Sequence, residues 1–228
     1  ISILPGTDSA MAMAMIRYII DQKRYNEDYL TVPGAAGMEA AKAVSHSNAT
    51  HLVIVDEKSP LYGQMLRLAD IEGGDRASSP ILAVDAVTGE LKDVDEALRG
   101  KLYYEGKVAL ANGEEVEVAT SFTMLKRSAD KMTLAEYSEV CGVPVSTIEG
   151  LARKFTSHGH KAAITTHGAM MSGNGFYNTW SLLTLNVLIG NMNYKGGMHV
   201  NGGKYADYAP GPRYDFTKFG GMAQPKGI

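Results

Sequence analysis

The order in which two apolar periodicities alternate along the chain most narrows what it can fold into. From Ser9 to Gln22, Ala10, Met11, Ala14, Met15, Tyr18 and Ile19 recur on one broad face, which predicts a helix. Gly37 to His46 predicts a second helix, and "HLVIVD" from His51 to Asp56 predicts a short buried strand of branched residues. A helix is expected within "PLYGQMLRLAD". Residues 80 to 120 change character: Thr88-Gly89 and Asn112-Gly113 mark turns, the second of them a hairpin between Lys107–Leu110 and Glu115–Ala119. Helices are then expected over Ser121–Asp130, Thr133–Val140 and Val145–Ser157. The run "KAAITT" predicts a strand, and Gly175–Ile189 a helix. Alternation at these spacings implies an α/β fold: a mostly parallel sheet covered by helices, with a β-rich excursion at 80–120.

Composition excludes several classes. The 228 residues carry a net charge of −3 and 45% apolar residues, an ordinary globular balance with no pull towards nucleic acid or an anionic membrane. No stretch holds about twenty uninterrupted apolar residues, so no direct membrane span is expected. The single cysteine, Cys141, forbids a disulfide within the chain and a cluster built from several of its own thiols. Cys141 has no evident base partner and reads as structural. The apolar start "ISIL", with no initiator methionine and no leader, reads as an excised piece. The glycine- and proline-rich stretch 196–228 reads as a tail leading into a further domain, after one domain at 1–195.

Two stretches are candidates for chemistry. In "LPGTDSAM", Asp8 stands at the start of the first helix, behind Gly6 and Thr7. It can cap the free N–H groups there. Alternatively, its two oxygens can accept the paired donors of guanine, N1–H and the N2 amine. In "ITTHGAMMSGNGFYNTW", a strand end leads through Gly168, Gly173 and Gly175 into a long helix, the kind of crevice where a pyrophosphate rests. His167, Ser172 and Asn174 are its polar groups, able to serve a ligand or the turn itself. A rival lies in "VPGAAGMEAAKAVSHSNATHLVIVDE": Gly34, Gly37 and Asp56 imitate a nicotinamide-dinucleotide fingerprint, with Val32 where its first glycine belongs. His158, His160 and His167 do not have zinc spacing, no metal ligand is expected, and the twelve methionines read as core filler.

"ILPGTDSAMAMAMIRYIIDQKRYNEDYL" resembles a hallmark segment of the molybdopterin oxidoreductases, the dimethyl-sulfoxide-reductase family. "CGVPVSTIEGLARKF", "ITTHGAMMSGNG" and "LNVLIGNMNYKGG" resemble that family's downstream block, in the same order and with similar separation. Cys141 departs from the pattern, which has threonine there. The excursion "SPLYGQMLRLADIEGGDRASSPILAVDAVTG" and the tail "GGKYADYAPGPRYDF" are most similar to the branch that reduces tetrathionate, with arsenate reducers beside it.

The resemblance implies a Rossmann-like dinucleotide-binding domain in a larger catalytic subunit. That subunit holds molybdenum between two molybdopterin guanine dinucleotides, with an iron–sulfur cluster outside this stretch. It implies that Gly6, Thr7 and Asp8 bind guanine, and that His167, Gly168, Ser172 and Asn174 lie against pterin or pyrophosphate. The metal ligand would lie upstream, so no catalytic residue is expected in this chain and the chain alone is expected to be inactive. The implied reaction is two-electron reductive cleavage of tetrathionate, with arsenate, polysulfide or thiosulfate as alternatives. The implied partners are the remainder of the catalytic subunit, together with one iron–sulfur electron-transfer subunit plus one membrane anchor subunit. The implied location of the parent is the periplasmic or extracytoplasmic face of a membrane.

Overall fold

A computed structural model describes residues 1–199 of the chain. Its elements, in order, are α1 (Asp8–Asp21), α2 (Glu27–Leu30), α3 (Ala35–Ala41), β1 (Leu52–Ile54), α4 (Leu68–Glu72), β2 (Leu82–Val84) and β3 (Leu91–Asp93). Then come β4 (Glu105–Ala109), β5 (Glu115–Thr120), α5 (Ser121–Ala129), α6 (Leu134–Cys141), α7 (Val145–Thr156) and α8 (Gly175–Leu188). Short 3-10 turns stand at Gly159–Lys161 and Ala169–Met171. The tail expected at 196–228 lies, from residue 200 on, outside the described residues.

Helix α1 is the axis of the larger core. It packs against α5, α6, α7 and α8 together. Ala12, Ile16 and Ile20 are as buried as Met11, Ala14, Met15, Tyr18 and Ile19, so the single apolar face read from the sequence is too narrow. A helix that is apolar nearly all round is a buried one, and the alanines let its neighbours close in. The polar rim is tied down by long side chains: Arg153 Nη1 donates to Tyr18 Oη at 2.9 Å, and Arg24 Nε to Thr156 Oγ1 at 2.8 Å. Cys141 is fully buried in this core, its Sγ 3.8 Å from Ser138 O, as a structural thiol should be. Leu4 N–H donates to Cys141 O at 3.0 Å, so "ISIL" starts as a segment laid on the end of α6.

The second, smaller core is the β-rich region. Leu52, Ile54, Leu66, Leu82, Val84, Val108, Val116 and Val118 form it. Strands β1, β5 and β4 make one sheet in that order, and β2 and β3 make a hairpin. The turns read from the sequence are there: Gly89 sits at φ +77° between β2 and β3, and Gly113 at φ +83° between β4 and β5.

The sheet corrects the expected fold. Every pairing between named strands of the described residues is antiparallel, and β1 pairs with β5 from inside the excursion rather than with a parallel neighbour. What holds for these residues is mixed α and β with small antiparallel sheets. A short branched run buried on both faces cannot by periodicity alone declare the direction of its partner, and the nearby hairpin turns supplied antiparallel ones. "KAAITT" is also no strand. From Ala162, which is extended at φ −102° and ψ 152°, the segment runs on without a strand partner. Side chains bind it instead: Asn186 Oδ1 accepts from Ile164 N–H at 2.9 Å, and Asn186 Nδ2 and Asn191 Nδ2 donate to Ile164 O and Ala162 O.

Candidate functional site

The sequence Leu4-Pro5-Gly6-Thr7 closes a β-turn, with Thr7 N–H donating to Leu4 O at 3.2 Å. Pro5 and Gly6 occupy its centre, and Gly6 at φ +80° is in the region a type II turn demands of its third residue. Thr7 is the N-cap residue of α1, but its hydroxyl donates back to Leu4 O at 2.6 Å and caps nothing. The turn delivers Asp8, half-buried, as the first residue of α1. The Asp8 carboxylate does not bond its own helix end. Its one hydrogen bond among the described residues is accepted by Oδ2 from Asn178 Nδ2, at 3.4 Å.

The second glycine stretch arrives at the same place. Residues Thr166 to Asn174 fold back through the short 3-10 turn and start α8 at Gly175. A Cβ on Gly175 would stand 2.7 Å from the Met170 carbonyl carbon, so only glycine lets α8 start against that turn. Gly168 and Gly173 are different: neither has positive φ, and a Cβ on either meets nothing within 4 Å. The space beside them is open.

Asn178, fully buried in the first turn of α8, joins the two stretches. Its Oδ1 accepts from Ser9 N–H at 3.0 Å and from Asn174 Nδ2 at 3.3 Å. Its Nδ2 reaches Ser172 Oγ at 3.0 Å, Asp8 Oδ2 at 3.4 Å and Ala169 O at 3.4 Å. Asn174 Nδ2 also reaches Ser9 Oγ at 3.3 Å. The N-terminal ends of two helices therefore meet, each carrying unpaired N–H groups and a partial positive charge. One carboxylate with spare acceptor capacity stands between them.

Of the residues singled out in the sequence, Asp8, Ser172 and Asn174 come together through this network, with Gly6 and Thr7 behind Asp8. His167 and Gly168 stand at the far end of the same loop, exposed, with no side-chain contact to Asp8. Ser9 and Asn178 were missed. The signal was an amide four residues after Asn174, on the same face of α8, which has to find partners if it is buried.

The rival fingerprint is filled by the protein itself. A Cβ on Gly34 would stand 2.5 Å from Asp95 Oδ1, and one on Gly37 2.8 Å from Leu98 O. Two of the free N–H groups of α3 are taken, Ala35 N–H by Asp95 Oδ1 at 2.9 Å and Ala36 N–H by Asp95 O at 3.0 Å. Asp56 accepts from Lys58 N–H in a turn, and β1 has no parallel partner. No space is left for a pyrophosphate there. A cleft of about 680 Å³ lined by Tyr25, Asp28, Thr31 and Arg99 lies past the other end of α1, roughly 20 Å along the helix from Asp8. Arg99 already serves Asp28 O and Thr31 Oγ1, so that cleft offers no free cation.

No family model matches the chain. Curated proteins do. The chain is 47% identical over 226 residues, 99% of its length, to a tetrathionate reductase subunit of Salmonella typhimurium. This chain is a relative of molybdopterin oxidoreductase subunits. It is 35% identical over 90% of its length to a selenate reductase subunit of Mesobacillus selenatarsenatis, and 29% identical over 96% to a tetrathionate reductase subunit of Archaeoglobus fulgidus. It spans about a fifth of these relatives, 22%, 19% and 19% of their lengths. No helix of the described residues is long and apolar enough to cross a membrane.

Proposed function

We propose that the chain is a cofactor-holding segment of a molybdenum-dependent oxidoreductase, and that its parent reduces tetrathionate. The observation that carries this reading is the Asp8 carboxylate, free of its own helix end and set beside the Ser172–Asn174 turn. Similarity to a tetrathionate reductase subunit over 99% of the chain supports the same reading.

The donor set fits the group. A carboxylate offers two oxygens to the N1–H and N2 donors of guanine, and Asp8 has acceptor capacity to spare. Gly6 and Thr7 form the turn that presents it. The N-terminus of α8 favours a pyrophosphate, and the open faces of Gly168 and Gly173 leave room for it beside His167, Ser172 and Asn174. These residues bind and orient; none carries a proton or a bond through the reaction. The bound bis-molybdopterin guanine dinucleotide would supply the redox chemistry, in which two electrons cleave the central S–S bond of tetrathionate to two thiosulfates. An iron–sulfur cluster elsewhere in the parent, with an electron-transfer partner held at the periplasmic face by its membrane anchor, would deliver those electrons.

A Rossmann-like sheet belongs to this proposal too. The backbones of Ala163 and Thr165 make no hydrogen bond among the described residues, and both residues are exposed. That edge of the extended segment is where the rest of the parent would add a parallel strand. The test is the intact parent enzyme carrying Asp8→Ala. Released guanine nucleotide and bound molybdenum should fall together, and the unaltered parent should reduce tetrathionate in preference to selenate. Full loading in Asp8→Ala would sink the role of Asp8, and a preference for selenate would sink the substrate.

A further inference from the structure

We propose that Asn178 is the positioning residue of this site: it caps α1 from α8, so that Asp8 is released to face a ligand and is held in register with the 168–174 turn. The inference rests on reading Asp8 as a guanine acceptor, and one arm of its test does not.

An aspartate in the first turn of a helix would ordinarily bond the free N–H groups beside it. In α1 that N–H is Ser9's, and Asn178 Oδ1 takes it at 3.0 Å. The Asn178 Nδ2 protons then engage Asp8 Oδ2 on one side and Ser172 Oγ and Ala169 O on the other. One amide thus accepts at the helix end and donates to the carboxylate, and both jobs need an amide of this length. Serine is too short to span both, aspartate has no donor, and leucine can do neither. Asn178 is fully buried, so its bonds are not shared with solvent. Holding Oδ2 by one donor still leaves lone pairs on both Asp8 oxygens for a ligand.

The two jobs can be separated by substitution in the 228-residue chain. Asn178→Asp keeps an oxygen for Ser9 N–H but sets a second carboxylate against Asp8. Of the groups bonded to Asn178, Asp8 is the one ionisable side chain; Ser9, Ser172, Asn174 and Ala169 O are neutral. Two carboxylates at that range share one proton. The unaltered chain should therefore bind GDP about ten-fold more tightly than Asn178→Asp at neutral pH, and that ratio should shrink towards one near pH 5, groups common to both chains, His167 among them, cancelling in it. Asn178→Ala should lose affinity at every pH.

Amide hydrogen exchange at Ser9, which needs no nucleotide, gives the independent arm. It should quicken about ten-fold or more in Asn178→Ala relative to Tyr18, and stay slow in Asn178→Asp. Unchanged Ser9 exchange in a folded Asn178→Ala overturns the cap. A GDP affinity in Asn178→Asp equal to the unaltered chain's at every pH overturns the hold on Asp8. If the unaltered chain binds no GDP, the guanine reading fails, and Ser9 exchange alone then decides the role of Asn178. If Asn178→Ala does not fold, Asn178→Ser takes its place with the same expectation.

Discussion

Two helices of this protein start behind a Pro-Gly pair, and they have opposite fates. At α3, Pro33-Gly34 leads into a terminus closed by the protein: Asp95 takes the N–H groups of Ala35 and Ala36, and the backbone of residues 94–98 fills the space a side chain would need. At α1, Pro5-Gly6 leads into a terminus capped from another helix, with a carboxylate to spare. The lesson is that a glycine before a helix is no guide to a ligand. What separates a structural terminus from a binding one is who satisfies the N–H groups, and whether the nearby carboxylate is consumed in doing so.

That contrast can be broken by substitution. Gly34→Ala should be the most damaging change, since its Cβ would meet the Val94 carbonyl and Asp95; a loss of about 3 kcal/mol in urea unfolding is expected. Gly173→Ala, in open space at the other site, should cost almost nothing by the same measurement. Next in size is Asp95→Ala, which uncaps α3 and should lower stability by about 1–2 kcal/mol.

Acid should then weaken the α3 side selectively. His51 Nε2–H donates to Pro33 O at 2.8 Å, its Nδ1 is buried without a partner, and burial pushes its pKa below the ordinary histidine value. The folded chain therefore refuses a proton that the unfolded chain accepts below about pH 6.5. Bound protons are then more numerous in the unfolded state, so stability falls as pH drops through that window, by at most about 1.4 kcal/mol per unit. His51→Gln should flatten that slope in melts taken across the range. Asp8→Ala should also be small, within about 0.5 kcal/mol in thermal unfolding, because Asp8 caps nothing. A loss comparable to that of Asp95→Ala would make the two termini alike and erase the contrast.

Much of this was legible in the chain, and the reasons are local. The hairpin at Asn112-Gly113 needs only a turn residue that tolerates φ > 0, flanked by branched residues, and it forms where expected. Helices α5 to α7 follow from their periodicity and from caps such as Thr133 with Glu136. The direction of the sheet was not legible, because β1 is only Leu52–Ile54 and its partner β5 lies far along the chain. Nor was the unpaired state of 162–166, since nothing in "AAITT" says that Asn186 and Asn191 will bind its backbone. At the site, Asp8 and the 168–174 turn could be found one by one. Their meeting through Asn178 is a contact between residues 170 positions apart, which no window on the sequence contains.

The most direct measurement of the central claim is calorimetric titration of the chain with GDP, IDP and ADP, repeated on Asp8→Ala. IDP lacks the N2 amine and ADP lacks both guanine donors. With a hydrogen bond to a carboxylate contributing roughly 1.5–3 kcal/mol, IDP should bind about ten-fold more weakly than GDP, ADP more weakly still, and Asp8→Ala should remove the ranking. Equal affinity for the three nucleotides, or a ranking that survives Asp8→Ala, would contradict the assignment of Asp8 as the residue that reads guanine.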